Sequence, residues 1–411
     1  MSLDDLFKSI VKSRIFRSRE ILLPDYVPEE LPHREREIKR VALSLAPALR
    51  GEKPNNIFIY GLTGTGKTAV VKHVLRKLKD TAVDIGVSVS PIYVNVRHRD
   101  TPYRVLVDIA DGIGLRVPFT GLSTGEVYYR IVRALSKLRG IYIIILDEID
   151  FLVKRYGDDL LYKLARINEE LRNSRVSLVG ITNNVSFIED LDPRVKSSLG
   201  EEEIVFPPYN AEQLKDILES RAEKAFYPGV LDDEVIPLCA ALAAREHGDA
   251  RRALDLLRVS GEVAERRGDG RVTRSHVFIA RTEIERDRVS EVIKTLPLHG
   301  KLILASITAL TMGGITHATT GEVYNYYIKL TSILGIENVT QRRVSGIIAE
   351  LDMMGIVTAK VISRGRYGKT RVIELAADPE IIVKTLWEDP ALEAIMDRVE
   401  TDALGRRNRM R

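Results

Sequence analysis

The stretch Gly61-Leu62-Thr63-Gly64-Thr65-Gly66-Lys67-Thr68 follows the apolar run Ile57-Phe58-Ile59-Tyr60 and precedes a helical pattern. Strand, glycine-rich turn and helix in that order form the context a phosphate-binding P-loop requires. Glycines let the backbone wrap closely enough for successive N–H groups to face phosphate oxygens. The main chain of Gly61, Gly64, Thr65 and Gly66 is therefore a candidate cradle. The helix starting near Gly66 adds the positive end of its dipole. Lys67 suits a bridge between β- and γ-phosphates, and the Thr68 hydroxyl suits Mg²⁺. These residues point to a nucleoside triphosphate with its metal ion.

Apolar runs spaced by helical patterns extend outward from this segment: Ile57–Tyr60, Ile92–Val96, Ile141–Leu146, Val176–Ile181 and Ile204–Phe206. That alternation predicts a doubly wound parallel α/β sheet, in which ligands bind at the C-terminal ends of the strands. The run Ile143–Leu146 delivers Asp147 and Glu148 to that edge. Asp147 is placed to hold Mg²⁺ through water, and Glu148 to orient or deprotonate an attacking water. An apolar run ending in acids also describes a strand entering a solvated turn; the P-loop upstream favours the first reading. The next strand ends in Thr182-Asn183-Asn184, where Asn183 can help position the water. Asp192-Pro193-Arg194 and Gly248-Asp249-Ala250-Arg251 each carry an arginine that local packing does not require.

At 411 residues the chain exceeds one ordinary core, and its 45% hydrophobic, 29% charged composition is globular. No apolar stretch approaches membrane-spanning length, and the start of the chain lacks the layout of a signal peptide. A single cysteine, Cys239, excludes an internal disulfide and a cysteine-based zinc site, which suits a reducing, cytoplasmic setting. The net charge of +4 is too small to establish a nucleic-acid partner by itself. From Pro207 helical patterns dominate (Ala211–Ala225, Asp232–His247, Ala250–Arg266). Beyond Leu296 three more helical segments precede two short strands. The expected division is a nucleotide-binding domain over 1–206, a helical domain over 207–294 and a third domain over 295–411.

Three helices followed by a β-hairpin is the layout of a winged helix. The third helix, Thr340–Met354, opens with Thr340-Gln341-Arg342-Arg343, where Thr340 suits an N-cap. Gln341, Arg342 and Arg343 suit base edges in a duplex. Val344, Ile347, Ile348, Leu351 and Met354 recur at helical spacing and are expected in the core. From Lys360 to Arg371 the hairpin carries five basic residues and no acidic one. Arg364, Arg366, Tyr367 and Lys369 at its tip suit minor-groove and phosphate contact. The arginine-rich end Gly405–Arg411 suits weak phosphate affinity.

The ordered set of P-loop, Asp-Glu, strand-end Asn, Pro-Arg and Gly-Asp-x-Arg resembles an AAA+ ATPase. With Leu31-Pro32-His33-Arg34-Glu35, Leu191–Leu199, Gly248–Leu254 and the C-terminal segment, nearly the whole chain resembles the archaeal origin-recognition initiator family. That family is related to eukaryotic origin-recognition subunits and to the helicase-loading factor of the cell-division-cycle group. The resemblance implies that ATP or ADP is the nucleotide, with Asn183 as sensor 1, Arg251 as sensor 2 and Arg194 as an arginine finger for a neighbouring subunit. It implies nucleotide contacts from Tyr209 and Arg221, and a Tyr26-Val27-Pro28 segment that closes over the adenine with Arg34. It implies a second DNA contact from an initiator-specific insertion, with Arg104 and Arg116 as candidates. The implied function is an ATP-regulated replication initiator that hydrolyses ATP slowly. It would bind double-stranded origin DNA beside other initiator subunits and help load the replicative helicase. A nucleotide-switched winged-helix transcription regulator, and a remodeller whose last domain binds protein, remain compatible with the residues.

Overall fold

A computed structural model of the chain describes residues 13–99, 101–199, 201–363, 369–397 and 399. They fall into two compact units, divided between Phe278 and Ile279. The first unit is built on five parallel strands: β1 (Ile57–Tyr60), β2 (Val89–Asn95), β3 (Gly140–Asp147), β4 (Ser174–Thr182) and β5 (Glu202–Val205). Their spatial order is β2-β3-β4-β1-β5. Both faces of the sheet are covered, so β1 and residues 141–146 of β3 are apolar on successive rather than alternate residues. Tyr142, Ile144 and Leu146 of β3 pack on one side with α3 (Pro102–Gly112) and α4 (Thr124–Leu135). Ile141, Ile143 and Ile145 pack on the other with α1 (Glu35–Leu45) and α2 (Lys67–Asp84).

The strand register aligns the chemistry. Tyr60 lies opposite Thr182, Asp147 opposite Ile181, and Asn95 opposite Asp147. The P-loop, the acidic pair and Asn183 therefore leave the sheet at one edge. Two short helices, α5 (Ile149–Tyr156) and α6 (Asp159–Ala165), follow β3, and α7 (Pro193–Leu199) precedes β5.

Three helices complete the helical part of this unit: α8 (Ala211–Ala225), α9 (Val235–Arg245) and α10 (Ala250–Arg267). Asn210 and Gln213 form a capping box at the start of α8, and the Asp249 carboxylate caps α10 through the amides of Arg251 and Arg252. The segment Ser13–Leu22 packs here as well. Ile15 is fully buried, and the amides of Arg17 and Ser18 donate to the Ala225 carbonyl. The Phe16 ring lies 4.8 Å from Phe226. A Cβ on Gly261, mid-way along α10, would stand 2.4 Å from Phe16 Cζ. This docking has no local signal, because its partners lie more than two hundred residues away.

The second unit contains most of α11 (Arg274–Thr295), then α12 (Leu298–Met312), α13 (Thr320–Leu334) and α14 (Gln341–Met353). A three-stranded antiparallel sheet follows in the order β6-β8-β7, from Ala318–Thr319, Lys369–Leu375 and Val357–Ser363. This is the expected winged helix, with two additions. Strand β6, two residues long, is too short to show a period, and α15 (Pro379–Trp387) closes the core behind it. The Lys301 ammonium ties this end to Asp389 at 2.6 Å. Val344, Ile347, Ile348 and Leu351 are buried as their spacing predicts. Met354 is not in the core; it is 42% exposed, because α14 ends at Met353 and Gly355 (φ 72°) turns the chain into β7.

Replacing glycine by alanine inside a free helix stabilises it by roughly 0.8–1 kcal/mol. At Gly261 the Phe16 ring reverses that sign, so Gly261→Ala is expected to lower the thermal midpoint. In a Phe16→Ala background, where only Phe226 Cε1 stands close at 3.0 Å, the loss should be smaller, and thermal melts of the four proteins in the cycle check this coupling.

Candidate nucleotide-binding site

The loop after β1 turns tightly enough to need glycine. At Gly64 (φ 67°) a Cβ would meet the Asp249 carboxylate at 1.7 Å, and the Ala250 amide donates to the Gly64 carbonyl at 3.1 Å. The start of α10 thus sits directly on the P-loop. Beyond the loop, Gly66 (φ 88°) is the N-cap of α2 and offers its first amides no side-chain cap, which suits an anion at that end.

The carboxylates are held by hydroxyls and amides. Asp147 is 4% exposed; its Oδ2 accepts from Thr68 Oγ1 at 2.8 Å and from Tyr93 OH at 2.7 Å. Its Oδ1 accepts from the Glu148 amide at 3.0 Å. Burial, with the Asp147 charge beside it, pushes the Tyr93 phenol well above its ordinary range, so it stays a donor. Glu148 takes a left-handed conformation (φ 59°), and its Oε1 lies 3.4 Å from Asn183 Nδ2 and 3.9 Å from Arg97. Both expected acids and the strand-end amide thus converge. Tyr93 was not foreseen; it stands alone in β2, and only the register of β2 on β3 brings it to Asp147.

The cations divide into two kinds. Lys67 is 4% exposed and donates to the carbonyls of Gly61 and Leu62 at 2.9 and 2.6 Å. Burial pushes its ammonium down to about 8; Asp147 and Asp249 oppose the shift, while Arg251 and Arg34 add to it. Arg34 is 2% exposed and fully engaged: Nε donates to Thr65 O at 2.9 Å and Nη2 to Pro207 O at 2.6 Å. Its guanidinium lies 3.8 Å from the centre of the Tyr209 ring. It braces the underside of the P-loop and does not line the cavity. Arg221 donates to Ile21 O at 3.0 Å and packs over Tyr26 at 4.7 Å. Burial holds its guanidinium below the ordinary range.

These groups surround a cavity of about 390 Å³. Its polar side carries Gly64, Thr65, Gly66, Lys67, Thr68, Asp147, Glu148, Asn183 and Arg251; its apolar side carries Leu23, Val27, Pro28, Ile217 and Leu254, with Tyr26, Tyr209 and Arg221 between. The volume falls in the range of ligand pockets, and the pairing of an amide-and-cation cradle with an apolar slot fits a nucleotide. Thr68 and Asp147 meet the cradle and fit a magnesium ion shared with phosphate oxygens. Among the described residues no cluster of three or more His, Cys, Asp or Glu side chains forms a metal cage of its own.

Arg194 lies away from the cavity. Its side chain is 74% exposed and grips Asp192 through Nε and Nη2, at 3.1 and 3.0 Å. Arg104 begins the exposed face of α3, one turn past the Thr101 cap, and Arg116 is exposed in the loop between α3 and α4. Gln341, Arg342 and Arg343 are exposed in the first turn of α14, and Arg343 reaches Glu350 at 3.1 Å. Arg371 of β8 donates to the Ser345 carbonyl at 2.9 Å, tying the hairpin to that helix. Lys369 opens β8; Arg364, Arg366, Tyr367 and the Gly405–Arg411 end lie outside the described residues.

Comparison with known proteins resolves the family. Residues 50–186 match the AAA domain model, 215–282 the Cdc6 AAA+ ATPase-type lid domain and 291–385 the CDC6 C-terminal winged helix domain. The ORC1-type DNA replication protein 1 of Aeropyrum pernix is 65% identical over 396 residues, 96% of this chain and 100% of that protein. This chain belongs to the ORC1/Cdc6-type family of DNA replication proteins. Among solved structures, the Aeropyrum pernix ORC1 protein in complex with DNA is 66% identical with a TM-score of 0.87, covering 94% of this chain and 100% of that one. Pyrobaculum aerophilum Cdc6p, 24% identical with a TM-score of 0.59 over 91% of this chain and 99% of its own, shares the fold. The ORC1/Cdc6-type chain is thus an AAA+ ATPase-family member with a helical lid and a C-terminal winged helix. Among its described residues no helix is long and apolar enough to cross a membrane.

The Lys67 shift gives a pH signature. Phosphate oxygens restore the charge that burial disfavours, so the ammonium is more basic in the complex than in the free protein. Below pH 8 both forms are protonated and affinity is flat. Above pH 8 binding takes up a proton, and ATP affinity is expected to fall about tenfold per pH unit. Calorimetry in two buffers of different ionisation enthalpy should register that proton at pH 9 and none at pH 7.

Proposed function

We propose that this protein is an ATP-regulated replication initiator that binds double-stranded origin DNA and helps load the replicative helicase. In this reading residues 1–206 are the nucleotide-binding base, 207–294 the lid and 295–411 the DNA-binding domain. The backbone of Gly61, Gly64, Thr65 and Gly66 holds the phosphates of ATP or ADP, and Lys67 neutralises them. Thr68 and Asp147 hold Mg²⁺, which when bound offsets charge on the phosphate oxygens. Glu148, steadied by Asn183, orients the attacking water and accepts its proton. Arg251 reads the γ-phosphate from the lid. Tyr26, Pro28, Tyr209 and Arg221 form the base and ribose end of the slot, while Arg34 shapes the cradle from beneath.

Arg194 is the finger offered to the nucleotide of another initiator subunit. Its exposure and its distance from this chain's own cavity favour that role. An absent arginine finger costs about 10³–10⁵ in rate in related phosphoryl-transfer sites, so the isolated chain turns over slowly and its nucleotide acts as a switch.

The observation that carries the DNA reading is the exposed Gln341-Arg342-Arg343 turn of α14, braced by Arg371, in a chain 66% identical to an ORC1 protein solved with DNA. Arg364, Arg366, Tyr367 and Lys369 supply the wing, and Arg104 and Arg116 a second contact from the base domain. Binding is tested by anisotropy on origin and scrambled duplexes across a salt series. Arg342→Ala and Arg343→Ala should each cost about 1–3 kcal/mol on origin DNA and relax sequence preference. Arg366→Ala should weaken both duplexes equally and reduce the salt slope by about 0.9. Origin affinity unchanged in all three variants would contradict the reading, and preference for promoter over origin duplexes would favour a transcription regulator.

A further inference from the structure

The Asp147 carboxylate has an unusual set of donors. Oδ2 takes two hydroxyl hydrogens, from Thr68 at 2.8 Å and from Tyr93 at 2.7 Å, while Oδ1 takes the Glu148 amide at 3.0 Å. Asp147 is only 4% exposed, while Tyr93, which reaches it from the cavity wall, is 38% exposed. Thr68 is expected from the P-loop; Tyr93 belongs to no motif in the chain. It is nevertheless held firmly. β2 is paired along its whole length with β3, with Tyr93 opposite Ile145. Ile145 faces the α2 side of the sheet, so Tyr93 projects to that side too. There the Lys72 ammonium, one turn after Thr68 on α2, sits 4.5 Å over the centre of the Tyr93 ring. A cation over the ring draws electron density from it and strengthens the phenol as a donor.

We propose that Tyr93 is a positioning residue for the Mg²⁺ of the nucleotide site, acting by fixing the orientation of the Asp147 carboxylate. This rests on the nucleotide reading given above. The Glu148 amide holds only Oδ1, and at Oδ2 the Thr68 hydroxyl by itself sets a distance but not a direction. Tyr93, arriving from a different strand, supplies the second direction. Lys72 links the phenol to the helix that carries Thr68, so the P-loop helix, β2 and β3 converge on one oxygen. Donors of this kind behind a metal-binding group typically change metal affinity 10–100-fold when removed. Tyr93 lines the same cavity, but its hydroxyl is spent on Asp147 while the P-loop amides and Lys67 face the phosphates, so metal-free binding is expected to change little when that hydroxyl is lost.

The test uses the full chain and a fluorescent ADP analogue, titrated first in EDTA and then with Mg²⁺ at fixed nucleotide. Tyr93→Phe keeps the ring and its contact with Lys72 and loses only the donor. The expected result is unchanged affinity in EDTA and a half-saturating Mg²⁺ concentration raised about tenfold. Tyr93→His, which retains a donor, should shift it less. In an Asp147→Asn background Tyr93→Phe should have no further effect, which a general loss of packing would not reproduce. Equal Mg²⁺ dependence in Tyr93→Phe and the unsubstituted protein overturns the inference, as does an equal loss of affinity in EDTA. If the unsubstituted protein binds the analogue with no dependence on Mg²⁺, the reading of the site fails instead.

Discussion

The contact on which the rest depends is the seat of the lid helix α10 on the P-loop. The Ala250 amide meets the Gly64 carbonyl, and the Asp249 carboxylate lies where any side chain on Gly64 would stand. The phosphate cradle and the helix bearing Arg251 are therefore one mechanical joint. A side chain at position 64 would push the lid away before any nucleotide chemistry began. Because Arg251 follows the joint by one residue and lines the cavity, a tilt of α10 shifts its guanidinium relative to the P-loop.

Electrostatics reinforce that joint. Lys67 and Arg251 share the cavity, with Arg34 behind the P-loop, and Lys67 is buried enough for its ammonium to be pushed down to about 8. Such a cluster strongly favours a polyanion. Asp147 and Asp249 offset part of the repulsion, one from the sheet edge and one from the lid. Arg34 is stabilised differently, by carbonyl acceptors on Thr65 and Pro207 and by the Tyr209 ring. It couples the first helix, the P-loop and the hinge into the lid without needing a ligand.

The parts legible in the sequence are those whose signal is short and periodic. Strand β1 and helix α8 fall where their patterns end, and the P-loop, Asp147–Glu148 and Asn183 emerge at one sheet edge because a parallel register allows nothing else. The winged helix was readable from its core spacing and the Thr340 cap. Long-range features were not. Phe16 docking beside Gly261, Tyr93 on Asp147 and the engagement of Arg34 each join residues far apart in the chain, and each partner looks ordinary in its own neighbourhood. Strand β6 is too short to carry a period. Helix α15 was not read from the sequence either, although Asp378-Pro379 marks its start and the Asp378 carboxylate caps its first turn.

In a working switch the γ-phosphate is felt at the Gly64–Ala250 joint. Amide hydrogen exchange of residues 248–258, compared with Mg²⁺ and either ADP or a non-hydrolysable ATP analogue, tests it most directly. Greater protection is expected at the start of α10 with the ATP analogue than with ADP, and loss of that difference in Arg251→Ala. Identical protection with both nucleotides, at saturating occupancy, would contradict it.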